Sequence, residues 1–174
     1  MVVFHYSKKI LAVFAAATLL GALLHFVYTL FPSPVTALFS PVCESLWEHL
    51  KLLYWPYLAA MLLLTWGGGK EGKAPWLLSA LIICAAMLAL GWLYYIALGR
   101  EGHWFGPVLY VALMVLGFLL PAPLSRTKVS RFGDCLMLLI VALGAAIALF
   151  SFLPPGALLF ADLSGVRTWV TLPC

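Results

Sequence analysis

Charge is what this sequence has least of. Among 174 residues there are ten Lys and Arg and six Asp and Glu, so charged residues make up 9% of the chain, against roughly 25% in soluble domains. With 65% of the residues hydrophobic, a soluble fold of this length has no means of covering its apolar surface, and that class is excluded. The chain reads as one all-α domain, an integral membrane helical bundle whose solvent is lipid. Paired cysteine spacing is also missing. Cys43, Cys84, Cys135 and Cys174 contain no C-x-x-C, which removes a local metal cluster or redox dithiol and leaves disulfide pairing open. A basic helix face is absent as well. The formal charge of +4 comes from Lys and Arg scattered between apolar runs, so nucleic acid is excluded as a partner and these residues read as topology signals. The chain has no evident internal repeat, no low-complexity segment and no standard catalytic motif.

The apolar runs predict five membrane-spanning helices, at about 10–31, 41–66, 75–98, 104–120 and 133–153, each near bilayer length. The tail, 156–174, is interrupted by Asp162, Gly165 and Arg167 and is expected as an interfacial or re-entrant segment. Lys8 and Lys9 before the first run suggest a signal peptide, but the run is long enough to span and its Ala-x-Ala pattern lies mid-run, so the expectation is a retained first span. Alternate loops hold Lys8 and Lys9, then Lys70 and Lys73, then Arg126, Lys128 and Arg131. That is seven of the ten basic residues, leaving Lys51, Arg100 and Arg167. The positive-inside rule then puts the N-terminus in the cytoplasm and the C-terminus outside. Glu44, Glu48, Glu101, Asp162, His25 and His103 gather at the opposite, outer end, whereas His5 precedes the first span.

The stretch from Phe39 to Pro56 concentrates the polar chemistry. Ser40-Pro41 reads as a helix start. A helix from Pro41 would place Glu44, Glu48, Lys51 and Trp55 on one stripe, with Ser45 and His49 on the next, and a kink where Pro56 meets the Leu52 carbonyl. Glu44, Glu48, His25 and His49 offer ligands for a divalent metal, zinc or manganese, although no His-Glu-x-x-His spacing is present. His25, Tyr28, Glu44, Glu48, His49, Lys51 and Arg100 equally suit a pocket for a small polar solute, the cations meeting anionic groups and the carboxylates cationic ones. Glu48, central to the stripe, is the expected pivot of either. An ion-paired interfacial turn would account for Glu44, Glu48 and Lys51 without any ligand. Cys43 and His49, six residues apart, fall on different helix faces and make no thiol–imidazole pair. The tryptophans read as interfacial belt or packing.

The run Ser40-Pro41-Val42-x-Glu44-Ser45-x-Trp47-Glu48-His49-x-Lys51, preceded by His25-Phe26-x-Tyr28, resembles a family of small uncharacterised prokaryotic multi-pass membrane proteins. That family carries Pro-Val-Asn-Glu-Ser-x-Trp-Glu-His-x-Lys after its first helix, and Cys43 stands here in place of the asparagine. The resemblance covers about residues 22 to 57 and implies a multi-pass protein of a prokaryotic cytoplasmic membrane. Three classes of function stay open. One is an outer-facing pocket that binds or transports a small polar or ionic solute, another a membrane-embedded metal-dependent hydrolase built on the same Glu/His cluster, and the third a structural or assembly subunit. The expected partners are the lipid bilayer and, for transport by so few spans, a homodimer or partner membrane subunits.

Overall fold

The computed structural model describes residues 8–66 and 70–164, and every regular element in them is helical. His5, Arg167, Trp169 and Cys174, and with them the end of the expected tail segment, lie outside the described residues. The first helix, α1 (Lys8–Leu30), stops short of Pro32. A Ser-Pro start follows at once. Ser33 caps the short α2 (Pro34–Phe39), accepting from the Thr36 N–H while the Thr36 hydroxyl accepts from the Ser33 N–H, a reciprocal box with proline in the first turn.

The second Ser-Pro, at Ser40, does not start a helix, and here the expected helix from Pro41 is corrected. The Ser40 hydroxyl accepts from the Tyr28 N–H (2.9 Å) and donates to the Leu24 carbonyl. It therefore stands inside the i→i−4 ladder of α1 and is no longer available as a cap. The next helix, α3 (Leu46–Leu64), begins five residues later under Ser45, whose side chain accepts from the Glu48 N–H.

The chain continues through α4 (Lys70–Gly91), which runs into a π-helical turn at Trp92–Ala97. A loop containing Gly99 at φ 58° leads to α5 (Phe105–Leu119) and the single turn α6 (Pro121–Leu124). A 3₁₀ turn (Lys128–Phe132) precedes α7 (Gly133–Phe152), with Asp134 in its first turn, where a carboxylate favours the helix N-terminus. Another 3₁₀ turn, Leu158–Phe160, closes the described tail.

The expected five spans become four. Lys8–Leu30, Gly72–Ala97, Phe105–Leu124 and Lys128–Phe152 are long and apolar enough to cross a membrane. α3 is long enough but too polar, because Glu48, His49 and Lys51 fall in its first two turns. It is buried by the other helices instead, with Leu50, Leu53 and Tyr57 wholly enclosed. The outward surface is the apolar one: Leu11, Leu19, Leu23, Leu138 and Val141 are all more than half exposed. Hydrocarbon outside and charge inside is the arrangement that lipid as solvent selects.

Tyrosines join the bundle where glycine lets helices approach. Tyr54 of α3 donates to the Ile140 carbonyl of α7 (2.8 Å) beside Gly144, and Tyr57 donates to the Gly117 carbonyl of α5 (2.7 Å). Tyr110 of α5 donates to the Thr18 carbonyl of α1 (2.8 Å) beside Gly21. Each bond satisfies a buried hydroxyl on a main-chain oxygen, as an apolar interior requires. At one end of the bundle a cavity of about 210 Å³ is lined by Ile10, Gly72, Pro75 and Val129, which brings the starts of α1 and α4 beside the turn that precedes α7. α3 starts at the other end, beside a larger cavity.

Candidate functional site

The larger cavity is a chamber of about 870 Å³ walled by α1, α3, the π-helical end of α4, the loop that follows it and the start of α5. α1 contributes His25 and α3 contributes His49, while the linker before α3 contributes Glu44. These three form one cluster. His25 Nε2 lies 3.6 Å from Glu44 Oε1, and His49 Nε2 lies 3.3 Å from Glu44 Oε2. One ligand-type atom from each residue falls within 4.8 Å of the others.

The local backbone fixes this arrangement. Because α3 starts at Leu46, Glu44 is not on the helical stripe with Glu48. It sits in the linker, where its carbonyl accepts from the Leu163 N–H (3.1 Å) and ties the tail over the cluster. His49 is oriented by its other ring nitrogen: Nδ1 lies 2.7 Å from the Ser45 carbonyl. A carbonyl can only accept, so Nδ1 carries the proton and Nε2 points its lone pair at Glu44 whenever the ring is neutral. A protonated His49 donates from Nε2 to Glu44, and that hydrogen bond holds the Glu44 carboxyl below the usual carboxylate range. The charges of His49 and His25 act in the same direction, and partial burial opposes them. Asp162, near the same end, is also lowered, chiefly by the hydrogen bonds that Ser164 donates to it.

Glu48 and Lys51 make a separate structure behind this wall. Lys51 Nζ is fully buried and donates to Glu48 Oε2 (2.6 Å), the Ala37 carbonyl (2.6 Å) and the Ser40 carbonyl (3.2 Å), using all three of its protons. Glu48 also accepts from the Val42 N–H (2.8 Å) and from the Ser151 hydroxyl of α7 (2.9 Å). The pair therefore fastens α3 to α2, to the linker and to α7. Neither residue lines the chamber.

Arg100, exposed at the chamber's rim, joins Glu101 and His103 of the same loop and Tyr95 of the π-helical turn. A π turn re-aims side chains that a regular helix would carry elsewhere, and no residue type announces it in the sequence. Tyr28 meets the site only through its backbone bond to Ser40 and is absent from the chamber lining. Ser151 carried no signal in the sequence, because a lone serine on an apolar helix is ordinary. Trp47 packs between Phe150 and Phe160. Cys43, Cys84 and Cys135 are free.

A bundle with an apolar exterior, an internal ion pair and an open chamber bordered by imidazoles and carboxylates defines a helical protein of membrane type. The chain belongs to the family of unknown function DUF6512, whose model matches residues 2–167. This agrees with the resemblance, read in the sequence, to an uncharacterised family. No curated protein and no solved structure matches the chain.

Proposed function

We propose that this protein binds a small polar or ionic solute in the chamber, and holds it there or passes it across the membrane. One observation carries the reading: a chamber of about 870 Å³ collects His25, Glu44, His49, Arg100, Glu101 and His103 from four segments of a chain that has few polar side chains to spare. That volume suits a small molecule, and the ionisable groups on the helices, His25 of α1 and His49 of α3, are of the kind that mark function inside a membrane bundle. Lys51 has all its protons engaged, so contact with an anionic group falls to Arg100, whose guanidinium can grip a carboxylate or phosphate through two parallel bonds. Glu44 and Glu101 suit a cationic group. The chamber faces the extracytoplasmic side of a prokaryotic cytoplasmic membrane, with the N-terminus in the cytoplasm. The enclosed α3 makes the return passage between the first two apolar spans, which leaves the C-terminus outside. The basic residues near the opposite end support that orientation. Transport through so few helices calls for a homodimer or partner membrane subunits.

The test is thermal unfolding of the purified protein in detergent across a panel of amino acids, small carboxylates and inorganic phosphate. A true ligand at a hundred times its Kd stabilises by about 2.7 kcal/mol, a shift of several degrees. Arg100→Gln should melt like wild type without ligand, since Arg100 is exposed, and should lose the shift given by anionic and zwitterionic compounds. A panel in which no compound moves wild type further than Arg100→Gln would overturn the reading. The hydrolase alternative has its own support in the tight cluster of His25, Glu44 and His49, the kind of donor set that can hold a metal ion to activate water.

A further inference from the structure

We propose that His25, Glu44 and His49 bind a single zinc ion through the two Nε2 atoms and the carboxylate, with a fourth coordination position open to the chamber. The site goes beyond solute binding, since it needs no organic ligand. Its test uses the metal alone.

The first argument is metric. Ligands about 2.0–2.1 Å from a tetrahedral zinc lie about 3.3 Å from one another. The Glu44 oxygens stand 3.3 Å and 3.6 Å from the two Nε2 atoms, and the donor atoms fall within 4.8 Å of each other. Side-chain rotations at the partly exposed Glu44 and His25 bring such a set together around an ion.

The second argument is electronic. His49 has spent its Nδ1 proton on the Ser45 carbonyl (2.7 Å), so a neutral His49 faces the Glu44 carboxylate with a bare lone pair 3.3 Å away. Two electron pairs aimed at each other need a cation between them, either a proton on Nε2 or a metal. The bond from Nδ1 to a backbone carbonyl is the one that metal-ligating histidines commonly make, since it fixes the tautomer and the ring orientation. His25 presents its own Nε2 to the same carboxylate, while its Nδ1 is buried without a partner. His25 is therefore the less firmly held of the two imidazoles.

The third argument is the donor chemistry. Two imidazoles and one carboxylate suit zinc better than magnesium or calcium, which favour all-oxygen shells. Three protein ligands with a remaining open position are the pattern of catalytic rather than structural zinc. The open position faces a chamber whose other walls carry Tyr95, Arg100 and His103.

The experiment strips the full-length protein in detergent with a chelator, desalts it and titrates it with Co²⁺ as a visible stand-in for zinc. The expected result is uptake of one ion per chain, with the intense d–d absorption of four-coordinate cobalt, erased by one equivalent of Zn²⁺. Glu44→Gln and His49→Ala should each weaken uptake more than about tenfold, and His25→Ala should weaken it less than His49→Ala. Cys43→Ser, next to Glu44 in sequence, should retain the full band, showing a nitrogen and oxygen ligand set. The wild-type spectrum stands even where a variant fails to fold. A wild-type titration giving only the weak spectrum of hydrated cobalt would mean that a proton alone bridges His49 and Glu44. That result would overturn the site, as would a full band persisting in both Glu44→Gln and His49→Ala. Solute stabilisation measured on the stripped protein keeps this outcome separate from that of the chamber reading.

Discussion

Lys51 has no solvent exposure and still has a partner for each of its protons, which is the condition for an ammonium group inside an apolar bundle. The pairing of Glu48 with Lys51 was legible in the sequence from their spacing of three residues. The separation of Glu44 from that stripe was not. It depends on where α3 begins, and the beginning moved because the Ser40 hydroxyl was engaged by α1. The same displacement puts Glu44 beside His25 and His49, a cluster whose members were each legible as candidates. It also bears on Glu48, which the sequence made the expected centre of the site. Glu48→Gln leaves a buried ammonium without its counter-charge and is expected to cost about 3–5 kcal/mol, read as a lower melting temperature in detergent. Adding Lys51→Met should recover part of that loss, because the double variant buries no ion. Solute-induced shifts should persist in the double variant. If Glu48→Gln melts like wild type and abolishes those shifts, then Glu48 contacts ligand and the fastening role assigned to it is wrong.

At the scale of elements, α3 is the helix around which the others are placed, and its tyrosines show how. The small residues from Ala17 to Gly21 and around Gly144 suit close helix packing, but the sequence does not say what meets them, because which tyrosine meets which glycine depends on helix rotation. A Cβ built on Gly144 would lie 2.3 Å from the Tyr54 hydroxyl oxygen and 2.9 Å from the ring carbon that bears it. A Cβ on Gly21 would lie 2.2 Å from the Tyr110 hydroxyl and 2.5 Å from the Leu52 carbonyl oxygen. That carbonyl is the one left without an intrahelical donor by Pro56, so α1 approaches α3 where a main-chain oxygen projects. The two glycines should therefore respond differently to suppression. Gly144→Ala is expected to lower the melting temperature, and Tyr54→Phe should restore part of it by removing the oxygen that clashes, against a loss of about 1 kcal/mol for its hydrogen bond. Gly21→Ala should resist rescue by Tyr110→Phe, because the Leu52 carbonyl cannot be removed by a side-chain change. Equal rescue at both positions, measured by melting of the four double and single variants, would show that backbone approach does not set the α1–α3 contact.

For the whole molecule, composition was enough to give an all-helical bundle with lipid as its solvent, and it miscounted where one helix is both polar and enclosed. Sliding hydropathy treats each helix as if it faced lipid alone, whereas α3 is shielded by its neighbours and keeps Glu48, His49 and Lys51 within the protein. Charge distribution carries a different kind of information. Ile10, Gly72, Pro75 and Val129 line one cavity, so the basic residues near them, Lys8 and Lys9, Lys73, and Lys128 with Arg131, belong to the same end of the bundle. Arg100 belongs to the chamber end. The proposed orientation follows from that grouping, since basic residues beside spans are retained in the cytoplasm, and it predicts how single cysteines will label. In a chain whose native cysteines are replaced by alanine, Lys73→Cys and Arg126→Cys should react with a membrane-impermeant maleimide only after the membrane is opened. Arg100→Cys should react in intact cells. The grouping also constrains how the prediction can fail: positions 73 and 126 must behave alike whichever way the protein is inserted, because both flank the same cavity. Labelling of both from outside, with position 100 protected, would invert the orientation and leave the fold standing. Labelling that split 73 from 126 would contradict the packing of α4 against the turn before α7.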